Sequence, residues 1–238
     1  MNSSQLPTKA LPLHDVAREI GATFVDLAGW QLPQVFTTVE QEETIARRGV
    51  ALADSSASGK IVVEGKQAES VLQAAWAIPS LAIGQGVVLG SRYVYRLRDD
   101  QFFVHLEPGG EDSAEKILTK EGERSGDLVT VSDITHGRAE LLLIGPFSAG
   151  LLSRLCSLDF HASQFPDLNA RQSSVAKTRQ LILRHDMKPP DGPAVPLFSL
   201  IGGRSLATYL WRTILEAGRS LDVAPIGWFA LEALRVGG

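Results

Sequence analysis

A chain of 238 residues suffices for one large domain or two intimate halves. Its 44% hydrophobic content and mean hydropathy of +0.04 fit a globular composition, and a net charge of −4 excludes the basic footprint of a nucleic-acid binder. The single cysteine, Cys156, excludes an internal disulfide and a multi-cysteine metal site.

The start, Met1 to Gln5, is polar and lacks the apolar core of a signal peptide. No apolar run approaches the roughly 20 residues of a membrane helix, so a cytoplasmic protein without membrane contact is expected. Leu11 to Ile20 reads as a short helix with Leu13, Val16, Ala17 and Ile20 on one face and Gly21 as its stop. An apolar patch of Phe24, Val25, Leu27 and Trp30 ends at Pro33. Thr38 to Arg48 is a helix with Thr37 or Thr38 as cap, acidic first turns and a basic last turn. Its glutamates read as a solvated face. Lys60 to Glu64 is a strand, and Gln67 to Trp76 a helix. Tyr93 to Leu97 and Gln101 to Leu106 form a hairpin. Glu111 to Lys120 is a helix stopped by Gly122.

The order then repeats. Asp54, Gly59-Lys60, a strand, Gly65 and a helix are matched by Asp133, Gly137, a strand from Arg138 to Ile144, Gly145 and a helix from Phe147 to Leu155. The interval from Asp to the closing Gly is 11 residues in the first copy and 12 in the second. One long strand near Val175 to Arg184, a loop at Lys188 to Pro193, a strand from Val195 to Ile201 and a helix from Ser205 to Ala217 complete the second copy. The expected class is α+β, with an N-terminal arm over 1–49 and two strand–helix–strand halves over 50–126 and 127–238.

No sharp catalytic motif appears. Gly84 to Gly90 lacks dinucleotide spacing and a Lys-Ser/Thr end, and reads as a turn beside a strand. The five histidines are scattered without zinc spacing and read as structural. Cys156 reads as buried filler. Asp54 and Asp133 precede matching glycines and fix turns or touch a ligand. Strand alternation puts Tyr93 and Tyr95 on one face and Arg92, Arg96 and Arg98 on the other. These residues either line a site for a flat anionic ligand or serve cross-strand packing.

Several stretches carry a family likeness. They are Val25-Asp26-x-Ala28-Gly29-Trp30-x-x-Pro33, Glu40-x-Glu42, Ala46-Arg47-Arg48-Gly49-Val50, Val94-Tyr95-Arg96-Leu97-x-Asp99-Asp100-x-Phe102, and Leu234-Arg235. Together they resemble the folate-binding part of the glycine cleavage aminomethyltransferase family. Val131-Ser132-Asp133-Ile134, Leu141-x-Leu143-x-Gly145-Pro146 and Leu155-Cys156-x-Leu158-Asp159-Phe160-His161 are similar to the sarcosine oxidase gamma subunit. The resemblance implies two pseudo-repeated halves of the folate-binding type without the family's C-terminal β-barrel. It implies tetrahydrofolate as cofactor, a link to one-carbon or glycine and sarcosine metabolism, and flavin-dependent amine oxidase subunits as partners. The hairpin and loop readings together with this resemblance suggest Tyr93, Tyr95, Arg96, Glu107, Asp54 and Arg235 as ligand-contacting residues. The family's acidic pair before the V-Y-R strand is replaced by Gly90 and Ser91, and its pterin-binding Glu falls at Gly237. A degenerate, non-catalytic subunit or folate-type binder is therefore expected. The alternatives are a tetrahydrofolate-dependent transferase with a rearranged site built on Glu107 or Asp54, and a stand-alone binder of folate or another flat anion.

Overall fold

The computed structural model describes residues 9–189 and 192–236; the polar start, the centre of the proline loop and Gly237 lie outside the described residues. In chain order the elements of the arm are β1 (Lys9–Ala10), α1 (His14–Glu19), β2 (Phe24–Leu27), β3 (Trp30–Pro33) and α2 (Val39–Arg48). Thr38 caps α2 by accepting from the Gln41 N–H. β2 and β3 form a hairpin whose turn, Ala28-Gly29, takes positive φ at both residues.

Next come β4 (Ala51–Asp54), β5 (Gly59–Glu64), α3 (Ala68–Trp76), β6 (Gly86–Leu89), β7 (Arg92–Arg98), β8 (Gln101–Leu106) and α4 (Glu111–Ser125). The same order follows again: β9 (Thr130–Asp133), β10 (Arg138–Ile144), α5 (Ser148–Leu152), β11 (Asn169–Val175), β12 (Thr178–Arg184), β13 (Leu197–Gly203) and α6 (Ala207–Ala217). The short β14 (Ala224–Pro225) and α7 (Trp228–Val236) close the chain.

One sheet has the order β6-β7-β8-β5-β9 and the other β11-β12-β13-β10-β4-β14. Each copy therefore supplies a three-strand meander and one central strand to its own sheet, then sends its first strand into the other sheet. β4 pairs with β10 and β9 pairs with β5, both antiparallel. The crossings are built alike. The Ser55 N–H donates to the Glu140 carbonyl and the Ile134 N–H to the Lys60 carbonyl, each at 2.9 Å. Asp54 accepts from the Ser56 N–H at 3.0 Å and Asp133 from the Thr135 N–H at 2.8 Å. The Ser56 hydroxyl oxygen then accepts from the Glu140 N–H and that of Thr135 from the Lys60 N–H.

Alternation sorts each strand between two layers. Ile61, Val63, Val94, Phe102 and Val104 pack outward on Ala68, Val71 and Leu72 of α3 and Ala114 and Leu118 of α4. Leu52, Leu141, Leu143, Phe198 and Leu200 pack outward on α5 and α6. Between the sheets lie Tyr95, Phe103, Leu183 and Ile201. The class is α+β, with two facing sheets, α3 to α6 on their outer surfaces, and α2 and α7 against Ala51, Ala53, Leu142 and Ile144 on the opposite face of the second sheet.

The glycines that close each crossing are held tightly. Gly145 has φ +127, and a Cβ there would sit 2.3 Å from the Gly49 carbonyl oxygen. Gly65 has φ +145, with the Leu128 carbonyl oxygen at 2.4 Å from a built Cβ. Gly145→Ala is expected to lower unfolding free energy by about 2–4 kcal/mol. Gly137→Ala, with open space around its Cβ, serves as the control in urea unfolding. Equal midpoints for the two variants would refute the account.

Several sequence expectations need correction. The single strand over Val175 to Arg184 is a hairpin, because Ala176 and Lys177 turn the chain at φ 47° and 62°. The helix expected over 147–155 stops at Leu152, where the chain bends so that the Leu155 carbonyl can accept from the Ala176 N–H. α4 runs through Gly122 and ends at Gly126, which takes φ 71°. Gly86 to Leu89 is an edge strand rather than part of a turn. Glu42 is not on a solvated face: it is fully buried and its carboxylate accepts from the Phe36, Thr37 and Gly227 N–H groups.

Candidate functional site

A cavity of about 320 Å³ opens at one end of the interface between the two sheets. Tyr93 on β7 and His105 on β8, direct cross-strand partners, form one wall. His185, Asp186, Met187 and Lys188, just after β12, form the opposite wall with Asp167 and Leu168. Gly90 and Ser91 in the β6–β7 turn, Glu107 and Pro108 after β8, and Arg235 on α7 edge it. A second, shallower depression beside α6 is walled by half-buried and exposed side chains such as Arg212, Glu216 and Arg219.

The floor of the cavity is ionic. Period-2 alternation turns His105 inward, beside Lys60 of β5 in the register. Lys60 and Glu140 are both fully enclosed, with Nζ 3.0 Å from Oε2. Lys60 also donates to the Ser58 carbonyl at 2.6 Å and the Ser56 carbonyl at 3.3 Å, so its three protons are used. Glu140 lies 2.9 and 3.1 Å from His105 Nε2 and accepts from Ser199 Oγ at 2.7 Å. Burial pushes this carboxyl up, but the charges of His105 and Lys60 and the hydrogen bonds outweigh it and hold it well below the usual carboxylate range. His185 Nε2 lies 2.9 Å from Ser199 Oγ. Burial, with His105 nearby, pushes His185 from 6.5 down to about 3. Edge contacts fix its ring against Tyr93 at 4.8 Å and His105 at 5.6 Å.

At the rim, Asp167 pairs with Lys188 at 2.9 Å, and Asp186 accepts from Arg184 Nε and Nη2 at 2.9 and 2.8 Å. Arg235 pairs with Glu232 at 2.8 Å and lies over the Trp228 ring. Glu107 is exposed.

Tyr93, Glu107 and Arg235 thus meet at the cavity, while Tyr95, Arg96 and Asp54 lie elsewhere. Tyr95 is two residues deeper, completely buried between the sheets, and burial pushes its phenol well above the ordinary value. Arg96 faces the helices, paired with Glu69 at 3.1 Å and donating to the Leu81 carbonyl at 2.9 Å. Asp54 holds the first crossing and accepts from the Leu13 N–H at 3.3 Å. Burial, its largest influence, raises its carboxyl. The histidines, Lys60, Glu140 and Ser199 were not singled out as site residues from sequence. The available signal was a pair of opposite charges at matching places in two apolar strands, Gly59-Lys60-Ile61-Val62-Val63 and Arg138-Ala139-Glu140-Leu141-Leu142.

Among the described residues no helix is long and apolar enough to cross a membrane, and no cluster of His, Cys, Asp or Glu is arranged to hold a metal.

Known proteins resemble this chain in sequence and in fold. An aminomethyltransferase of Anoxybacillus flavithermus is 28% identical over 236 residues, covering 94% of this chain and 62% of the relative. One from Clostridium botulinum strain Loch Maree is 28% identical over 240 residues, covering 95% and 62%. The chain therefore spans about 62% of the length of these curated relatives. Among solved structures, the glycine cleavage system aminomethyltransferase T of Bartonella henselae superposes with a TM-score of 0.78 at 24% identity, over 95% of this chain and 62% of that one. A chain of the heterotetrameric sarcosine oxidase of Corynebacterium sp. U-96 gives 0.65 at 18% identity, over 90% and 96%. These two likenesses show the fold. The profile described as the GCVT N-terminal domain matches residues 13–237. Since that span takes in every strand of both large sheets, the chain belongs to the GCVT N-terminal domain family.

Proposed function

We propose that this chain binds a folate-type ligand in the cavity and does not perform aminomethyl transfer. One observation carries the reading. Gly90 and Ser91, which stand where the resemblance puts the acidic pair, both line the cavity. The wall that would face a reacting nitrogen thus has space but no carboxylate from this turn to stabilise developing positive charge. Tyr93 offers a ring face or edge, and Arg235 and Lys188 at the rim, paired with Glu232 and Asp167, would meet an anionic tail by sharing or exchanging those partners. An aromatic wall with cations at the mouth supports a tetrahydrofolate-type ligand. A subunit role joins this reading: the sarcosine oxidase chain, matched over 96% of its length, comes from a heterotetramer. A flavin-dependent amine oxidase is the partner class it suggests.

Calorimetric titration with tetrahydrofolate should give saturable heat with a micromolar Kd, about −8 kcal/mol. No heat at millimolar ligand would sink the reading. Glu107 favours a second one, a transferase with a replaced carboxylate, because it edges the same cavity. Methylene transfer to tetrahydrofolate that vanishes in Glu107→Gln would install that second reading instead.

A further inference from the structure

We propose that His185 is the specificity-determining residue of the cavity, presenting a bare Nδ1 lone pair that selects ligands bringing an N–H donor. The proposal rests on the binding role argued above and names the ligand chemistry of the same site.

Proton counting along the buried chain leads to this assignment. Lys60 keeps Glu140 ionised, and an ionised carboxylate only accepts. The 2.7 Å contact from Ser199 Oγ to Glu140 Oε1 therefore uses the one hydroxyl proton. Ser199 Oγ can then only accept from His185 Nε2, 2.9 Å away. That proton belongs to the imidazole. Burial keeps the ring neutral at pH 7. A neutral ring with its proton on Nε2 has none on Nδ1. Among the described residues the hydrogen bond of the His185 ring runs through Nε2, and His185 lines the cavity. The ring is also locked in place by Tyr93 and His105. An incoming N–H, such as a lactam or ring amine, meets an acceptor there. A carbonyl or an N-alkylated ring meets a lone pair it cannot satisfy.

Two measurements test this. Nitrogen-15 spectra of histidine-labelled, ligand-free protein at pH 7 should show His185 with Nε2 protonated and Nδ1 bare, and Ser199→Ala should release that lock into a tautomer mixture. A wild-type spectrum with the proton on Nδ1 overturns the proposal whatever binds. Calorimetry with two probes then tests selection: pterin, which carries ring and amino N–H groups, and 1,3-dimethyllumazine, which has no N–H because N1 and N3 are methylated. Pterin should bind about tenfold or more tighter, the worth of one polar group left unpaired. His185→Leu should weaken pterin by a similar factor and leave the lumazine unchanged, which separates hydrogen bonding from methyl bulk. A preference that survives in His185→Leu overturns the proposal. If tetrahydrofolate and both pteridines give no heat, the folate-binding reading falls and ligand selection falls with it; the tautomer is read separately, without ligand.

Discussion

Glu140→Leu, with Lys60 left in place, is expected to lower unfolding free energy by about 3–5 kcal/mol, because it strands a fully enclosed ammonium. Two backbone carbonyls would remain to Lys60, but no countercharge. The same substitution takes the acceptor from His105 and Ser199, so buried polar groups lose partners together. The double variant Lys60→Met with Glu140→Leu should recover most of the loss, since a well-packed apolar pair avoids the desolvation of both ions. Urea unfolding of the two single variants and the double closes the cycle. Additive losses would show that the two charges are not coupled.

Acidification should be the second large effect. Well above pH 6.5, His185 is neutral in both folded and unfolded chains and adds no slope. Below 6.5 the unfolded chain takes a proton that the buried ring refuses until about pH 3. Stability therefore falls as pH falls, by about 1.4 kcal/mol per unit and roughly 5 kcal/mol across the window. Glu140, held below its ordinary value, acts in the same direction at lower pH. Asp54, raised by burial, acts the other way and gains as its carboxyl protonates. Urea unfolding at pH 7, 6, 5 and 4 measures the slope. His185→Asn should flatten it, and a flat wild-type profile between pH 6.5 and 4 would refute the assignment.

Much of the fold was legible where local chemistry and tertiary packing agree. α2 has a Thr cap, acidic first turns and a basic end, and it forms where those signals lie. The two copies were visible from Asp54 and Asp133 with their following glycines. The Ala176-Lys177 turn was not legible, because neither residue advertises positive φ. Glu42 was misread because a buried carboxylate serving two nearby N–H groups and the distant one of Gly227 looks, in sequence, like any helix-start glutamate. The site was legible only in part. Tyr93 was found by alternation, but the same strand sends Arg96 to the far face and Tyr95 below the cavity. His105 and His185 lie 80 residues apart in sequence, and only sheet packing brings their rings to 5.6 Å.

The exchange of β4 and β9 has a consequence for synthesis. A nascent chain ending before Thr130 leaves β5 as a bare edge, with main-chain donors and acceptors that would template pairing with another chain. The first sheet is finished only after Asp133 has been made, and the second waits in turn for β10 to reach back to β4. Cutting the gene at its internal repeat would therefore yield two sticky fragments, each holding a strand the other lacks.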